Sequence, residues 1–446
     1  MSLALSTDLY ELAMMAGYHA TGHLPLATFE LYVRELPPNR SFLVAAGLEQ
    51  ALDYLEQIRF SDADIQHLRT VPALGRVRAD FFDEYLPRFR FTGEVWAVDE
   101  GTPIFPPAPI VQVIAPLPEA QLVETALLAH VGFQTSVASR AARIVQAASG
   151  RPVAEFGARR AHGVEAGILA ARAAVLAGCA STSNVEAGRR FGIPVSGTMA
   201  HSWVMAFADE TTALRTYGET FGEEAVLLLD TYDTINAARS VVASGLRPRA
   251  VRLDSGDLIA LSPRVRAILD EGGLRDTRIL VSGDLDEWRI EAIVRAGAPV
   301  DGFGVGAALS TVSDAPSLGA VYKLVELERG GSVVPVMKRS IDKGTLPGRK
   351  QVWRRFENGT AKEDVVEQVT IGVSVPSARS LLSRVMSAGK RERPAPALSE
   401  LRSRSQRAIA AVPESIRRLD QPERYTVRFG AGLQASIDRM SSARHC

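Results

Sequence analysis

At 446 residues, with 46% apolar and 23% charged residues, the chain is long enough for two or three domains around sizeable cores. Its formal net charge of +0 excludes the basic field of a nucleic-acid or anionic-membrane binder. The two cysteines, Cys179 and Cys446, lie far apart, which argues against a disulfide framework or a zinc site and fits a reducing cytoplasm.

The N-terminal stretch Met1 to Asp8 has neither a basic region nor a long apolar run, so no signal peptide and no membrane span is expected. Ser6-Thr7-Asp8 precedes a helical pattern, Leu9 to Tyr18, with Leu9, Leu12, Ala13 and Ala16 on one face and Tyr10 on another. Ala27 to Val33 alternates like a strand, and Phe91 to Val98 and Ile110 to Ile114 follow as strands around the proline-rich stretch Pro103 to Pro109. Residues 1–125 therefore read as an α+β domain. A helix over Leu117 to Ala148 leads into a different rhythm. Strand-like runs near 153–156, 178–182, 193–197, 225–230, 249–254, 277–282 and 301–305 alternate with helical patterns. That spacing predicts parallel βα units over 126–319, either a barrel or a doubly wound sheet, and seven or so units favour the barrel. No GxGxxG opens the first unit, which counts against a dinucleotide-binding sheet. Beyond 320 the alternation stops. A hairpin around Arg329-Gly330-Gly331 and a strand from Gln351 to Phe356 are expected to return to the first domain's sheet over 320–375. The arginine-rich stretch 376–446 reads as a helical tail.

In such a barrel the chemistry collects where the strands end. Those ends carry Glu155-Phe156-Gly157-Ala158-Arg159-Arg160, Ser181-Thr182-Ser183-Asn184, Thr198 with His201, Asp230 to Asp233, Arg252 to Asp257, Ser282-Gly283-Asp284 and Gly304-Val305-Gly306. The glycines offer backbone amides that phosphate oxygens can approach closely. Asp254, Asp257 and Asp284 offer hard oxygens for Mg²⁺, directly or through water. Arg159, Arg160 and Arg252 can grip a carboxylate or phosphate. Asp230 is placed to accept from His201 Nδ1–H, which would leave Nε2 free to attack. The bland alternatives are caps, turns and surface ion pairs, and the concentration of polar ends on one rim favours a site.

With these residues in view, the chain resembles the nicotinate phosphoribosyltransferase family. The matching stretches are Thr7-Asp8-Leu9-Tyr10, Asn39 to Leu48, Glu155 to Gly163, Gly197 to Ser202, Arg252 to Asp257, Val321 to Leu324 and Leu346-Pro347-Gly348, in the family's order. The resemblance implies a barrel carried on a second α/β domain and a homodimer with shared sites. It implies nicotinate between Phe156 and a Tyr10 of the other subunit, its acid group held by Thr198 and Arg252, with Arg159, Ser183 and Asn184 nearby. It places phosphoribosyl pyrophosphate against Arg40, Asp254, Ser255, Gly256, Gly283, Asp284, Gly304 and Gly306, with Mg²⁺. It makes His201 the residue phosphorylated by ATP, with Asp230 and Glu155 as its catalytic companions. Ala307 departs from the pattern, since a threonine commonly stands there, and a hydroxyl contact to the ribose phosphate is missing.

Three neighbouring functions remain in play. By the spacing Ser183 to Gly188, Asn184 matches the position where the nicotinamide enzyme carries an aspartate, so a neutral Asn184 favours nicotinate. Quinolinate phosphoribosyltransferase shares the barrel but lacks the phosphorylated histidine. A catalytically inactive nucleotide-binding relative is disfavoured by the intact rim.

Overall fold

The computed structural model describes residues 2–339, 344–369 and 375–442, and Cys446 lies outside them. They form two compact units, Met1–Ser136 with Ser317–Pro396 and Arg404–Cys446, and Val137–Pro316 with Ala397–Ser403. Among the described residues no helix is long and apolar enough to cross a membrane.

The first unit is organised around the strand Leu26–Val33, buried at every position after the first. It lies between Ala320–Arg329 and Pro109–Pro116, antiparallel to both, in a sheet of seven strands. Phe29 stacks on Tyr322 at 4.9 Å, and the Tyr322 hydroxyl donates to Ala120 O at 2.8 Å. One carboxylate sits in that interior. Glu30 is fully buried and faces Lys350 Nζ at 2.8 Å, with Gln112 Nε2 donating to it at 2.7 Å. Removing either member of such a pair strands the other without solvent.

The stretch after 376 is not simply helical. Leu382–Ser387 joins the seven-stranded sheet beside Glu94–Val98, and Lys390–Arg391 extends it. Ala378–Ser380 and Thr426–Phe429 flank Lys350–Glu357 and Thr360–Gln368 in a second sheet of four strands. The helices Leu398–Ala410 and Ala431–Ser442 account for the rest of the helical expectation. The strands escaped notice because they are short, and all but Leu382–Ser387 lie at edges, where one face needs few apolar residues.

The second unit holds six parallel strands: β1 (Val153–Glu155), β2 (Ser181–Thr182), β3 (Val226–Leu228), β4 (Ala250–Leu253), β5 (Arg278–Val281) and β6 (Gly302–Val305). Their order is β2-β1-β6-β5-β4-β3, a curled half-barrel. The expected strand at 193–197 contributes only a single bridge, Val195 to Thr182, beside β2. At the opposite edge the Thr198 hydroxyl donates to Val226 O of β3 at 2.7 Å. A single segment thus spans the gap between the two sheet edges, through one bridge and a Ser181–Ser196 hydroxyl pair at 2.6 Å on one side and the Thr198 side chain on the other. Helices Val164–Leu176, Thr234–Ala243, Leu258–Glu271 and Glu287–Arg295 follow the strands, and the alanines of the first (170, 171, 173, 174) are fully buried.

The helix Leu9–Thr21 shows how a polar contact can override an apolar stripe. Its buried residues are Glu11, Leu12, Met15 and Ala16, while Leu9, Tyr10 and Met14 are 45%, 46% and 37% exposed. The face is therefore rotated from the one predicted through Leu9 and Ala13. Glu11 Oε1 accepts from Thr125 N at 2.9 Å and Thr125 Oγ1 at 2.7 Å, and its other oxygen meets the Thr7 hydroxyl. Burial pushes the Glu11 carboxyl up to about 7, with Glu124 and Asp8 adding repulsion. In its protonated form it can donate to Thr7 Oγ1, which in turn donates to Leu122 O at 3.2 Å. The folded state therefore keeps this proton in a range where the unfolded chain has released it. Stability is lost as pH rises from the unfolded value of 4.5 through about 7. Glu11→Gln, which mimics the protonated acid, should unfold at a higher temperature than wild type at about pH 8 and at the same temperature near pH 4.5. Parallel pH profiles for the two proteins would show that Glu11 is not the titrating group.

Candidate active site

Each strand of the second unit delivers its polar follow-on residues to one rim, because all six run the same way. His201 opens the short helix His201–Met205 just beyond the spanning segment. Its Nδ1 lies 3.2 Å from Thr231 Oγ1, and its Nε2 lies 3.7 Å from Asp254 Oδ2. The expected contact with Asp230 is absent. Asp230 Oδ2 instead accepts from Asp254 N at 3.1 Å and from the Ser255 hydroxyl. Asp230 thus shapes the turn that presents Asp254, and Thr231, the next residue along, meets the ring.

Asp254 is the centre of this arrangement. Besides His201 it faces Arg252 Nη2 at 3.7 Å and accepts from the Ser282 hydroxyl, so one carboxylate links β4, β5 and the histidine. Gly283 follows directly, with φ of +92°, and a Cβ there would stand 1.8 Å from Asp254 O. Close backbone packing against Asp254 demands this glycine, whatever its amide also does for a ligand.

Phe156, Thr198, Arg252, Ser282 and Gly304 line one cavity of about 520 Å³ in the interior of the sheet. It extends toward the strands' N-terminal ends, where Arg249 and Glu224 pair at 2.7 Å. Gly304 lacks a side chain because the Phe156 ring occupies the place, 2.5 Å from where a Cβ would sit. The Arg252 side chain is 14% exposed, and its Nε has no hydrogen-bond partner among the described residues. Burial lowers its hold on the proton, Asp254 and Asp230 oppose that, and the nearby Arg159 charge reinforces it. Asp230 Oδ1 is a second buried polar atom without a partner. Each such group costs about 1–3 kcal/mol when left unpaired, and here two of them stand on neighbouring strands of one rim.

Other expected residues take structural posts. Glu155 is fully buried and accepts from Thr182 Oγ1 at 2.6 Å and from the Gly157 amide, with burial raising its pKa. It ties β1 to β2 and fixes Phe156, and no face of it is open to a ligand. Asn184 caps the helix Val185–Phe191 through Ala187 N at 3.0 Å, Ser183 is exposed beside it, and neither lines the cavity. Asp257 caps Leu258–Glu271 through Ile259 N and Ala260 N. Asp284 is exposed, with a φ of 48°. Asp254, Asp257 and Asp284 therefore do not form a metal cage, and no group of three His, Cys, Asp or Glu among the described residues could hold an ion. Ser255 and Gly256 sit in a rim turn, Gly306 precedes and Ala307 opens the short helix Ala307–Ser310, and Arg159 and Arg160 form an exposed turn beyond β1. Tyr10 and the buried Arg40 belong to the first unit. Thr231 and Ser282 were missed as contributors, although both lie in the strand-end clusters that drew notice to Asp230 and Asp284.

A buried guanidinium with a free Nε beside an aromatic wall, and a histidine–aspartate pair on the same rim, is the arrangement of an enzyme site that takes an anionic group. Profiles of known families agree along the chain. Residues 5–132 match the nicotinate phosphoribosyltransferase N-terminal domain, 152–364 the family itself, and 357–436 its C-terminal domain. A nicotinate phosphoribosyltransferase of Mycobacterium tuberculosis, pncB2, is 45% identical over 99% of this chain and 94% of its own. The crystal structure of human nicotinic acid phosphoribosyltransferase matches with a TM-score of 0.85 at 28% identity, covering 98% of this chain and 100% of that one. Nicotinate-nucleotide pyrophosphorylase from Pyrococcus furiosus matches at 0.74 and 28%, over 92% and 96%. The chain belongs to the nicotinate phosphoribosyltransferase family.

The Gly304–Phe156 contact gives a direct check. Gly304→Ala should cost about 1–3 kcal/mol by overpacking against the ring, lowering the unfolding midpoint. Gly197→Ala, with nothing within 4 Å of the added carbon, should leave it unchanged. Equal midpoints in thermal unfolding would mean the ring moves aside freely.

Proposed function

We propose that the protein transfers the phosphoribosyl group of phosphoribosyl pyrophosphate to nicotinate, giving nicotinate mononucleotide and pyrophosphate for NAD salvage, assisted by ATP through a phosphorylated His201. The carrying observation is Arg252, a buried guanidinium with an unsatisfied Nε in a cavity walled by Phe156. A planar acid placed there stacks on the ring and gives the guanidinium its carboxylate. The relatives' names and the family's profiles support the same substrate.

Nucleophilic attack on ATP needs an imidazole with one fixed proton. Asp254 favours the proton on Nε2, leaving the Nδ1 lone pair facing only the Thr231 hydroxyl. This reverses the roles first expected of the two ring nitrogens. The γ-phosphoryl passes to Nδ1 and ADP leaves, and water later releases phosphate from the histidine. Asp254 also balances Arg252, so the charge state of the rim changes with each step. Mg²⁺ enters with the pyrophosphate as part of the substrate, since the rim aspartates form no cage, and it neutralises phosphate charge. The compartment that fits is a reducing cytoplasm, with Cys179 a buried free thiol. The active form is a homodimer in which Tyr10 of the partner subunit completes the pyridine site, a reading supported by the exposed row Leu9, Tyr10 and Met14.

The deciding assay supplies nicotinate, nicotinamide and quinolinate in turn, each with and without ATP. Preference for nicotinamide or quinolinate over nicotinate would overturn the substrate, and no product from any of them would favour an inactive relative.

His201→Ala should lose ATP hydrolysis and keep slow, ATP-independent synthesis. Wild type labelled with γ-phosphate-tagged ATP should carry an acid-labile, base-stable phosphate, and label surviving in His201→Ala would remove His201 from the mechanism.

Mixing Tyr10→Ala chains with His201→Ala chains should restore one full site per heterodimer. Verified subunit exchange without recovered activity would confine Tyr10 to its own subunit.

A further inference from the structure

Two consecutive rim loops, residues 282–286 after β5 and 306–314 after β6, are tied to one buried guanidinium. Arg140, on the helix Phe133–Ala147, places Nη2 2.8 Å from Glu287 Oε2 and Nη1 2.6 Å from Asp314 Oδ2. Glu287 is the first residue of the helix that follows the Gly283-Asp284 loop, and Asp314 closes the segment that starts at Gly306. The Arg140 and Glu287 side chains are 3% and 0% exposed. Arg143 Nε donates to the other Glu287 oxygen at 3.1 Å, and its guanidinium lies over the Trp288 ring at 5.3 Å.

Stability explains such a cluster poorly. Taking charges out of water costs as much as their attraction returns, and apolar side chains of similar volume often serve as well. What four interlocked charges supply is a fixed distance between the elements that carry them. A second tie makes that distance matter. Ser310 Oγ donates to Gly157 O at 3.1 Å, and Phe156 N donates to Val305 O at 2.7 Å. The 306–314 segment is therefore anchored to the aromatic wall of the cavity on one side and, through Arg140, to the Gly283 loop on the other.

We propose that Arg140 is a positioning residue for the diphosphate end of the substrate, setting the separation of the Gly283 and Gly306 loops through Glu287 and Asp314. The inference rests on the functional reading above, in which the diphosphate lies over those glycines. Only a two-ended planar fork can hold both carboxylates, so lysine cannot replace it.

The test uses full-length protein, with Arg140→Lys as the main variant. Its KM for phosphoribosyl pyrophosphate should rise at least about tenfold, as expected when loops shift by a fraction of an ångström, with kcat and the KM for nicotinate within about twofold of wild type. The dissociation constant for inorganic pyrophosphate, measured by calorimetry, should rise by a similar factor. Asp314→Asn, which weakens a single arm at a partly exposed carboxylate, should move both quantities the same way by a smaller factor, with the unfolding midpoint unchanged. It decides the matter if Arg140→Lys does not fold. Unchanged pyrophosphate affinity in the variants, or both KM values rising together, would overturn the proposal. Failure of the functional reading shows differently, as wild type that forms no nicotinate mononucleotide. Pyrophosphate binding then still judges Arg140.

Discussion

Parallel strands impose one constraint from which the rest of the second unit follows. Every strand ends, and every following helix begins, at the same rim, so strand ends and helix N-termini compete for the same few polar residues. Asn184, Asp233, Asp257 and Asp286 each spend a side-chain oxygen on the first backbone amides of a helix. What remains for chemistry is the smaller set that caps nothing: His201, Asp230, Arg252 and Asp254. The division is physical, since an oxygen turned onto the amides of its own helix is held there and has less left for a ligand.

This division explains what could be read in advance. The strand rhythm and the polar rim were legible, because periodicity and strand-end position depend on nearby residues alone, whereas the grouping of Phe156, Thr198 and Arg252, which line one cavity, came from the family resemblance. Which rim acid caps and which acts was not legible. Asp254 and Asp257 stand three residues apart in one motif and take opposite roles, separated only by where β5 places Ser282. Glu155 illustrates the same limit, since nothing in its neighbours foretells a carboxylate sealed between Thr182 and the Gly157 amide. In the first unit the buried face of the opening helix turned on Thr125, more than a hundred residues from Glu11, and the edge strands after 376 were lost in an arginine-rich composition.

Glycine carried a mixed message. Gly283 and Gly304 were read as places where phosphate could approach, yet both are required by the protein itself, one by the backbone of Asp254 and the other by the ring of Phe156. Their lack of a side chain is owed to packing. A residue type that serves two ends at once cannot be assigned to either from composition.

The span between the sheet edges has a consequence of its own. Elsewhere around the cavity neighbouring strands are joined by backbone ladders. From Val195 to Thr198 the wall is held by one bridge, a Ser181–Ser196 hydroxyl pair and the Thr198 hydroxyl rather than by a ladder, and Val195 itself is 51% exposed. Local opening costs least where the fewest buried contacts must break. The wall is therefore softest beside Thr198, within a few residues of His201.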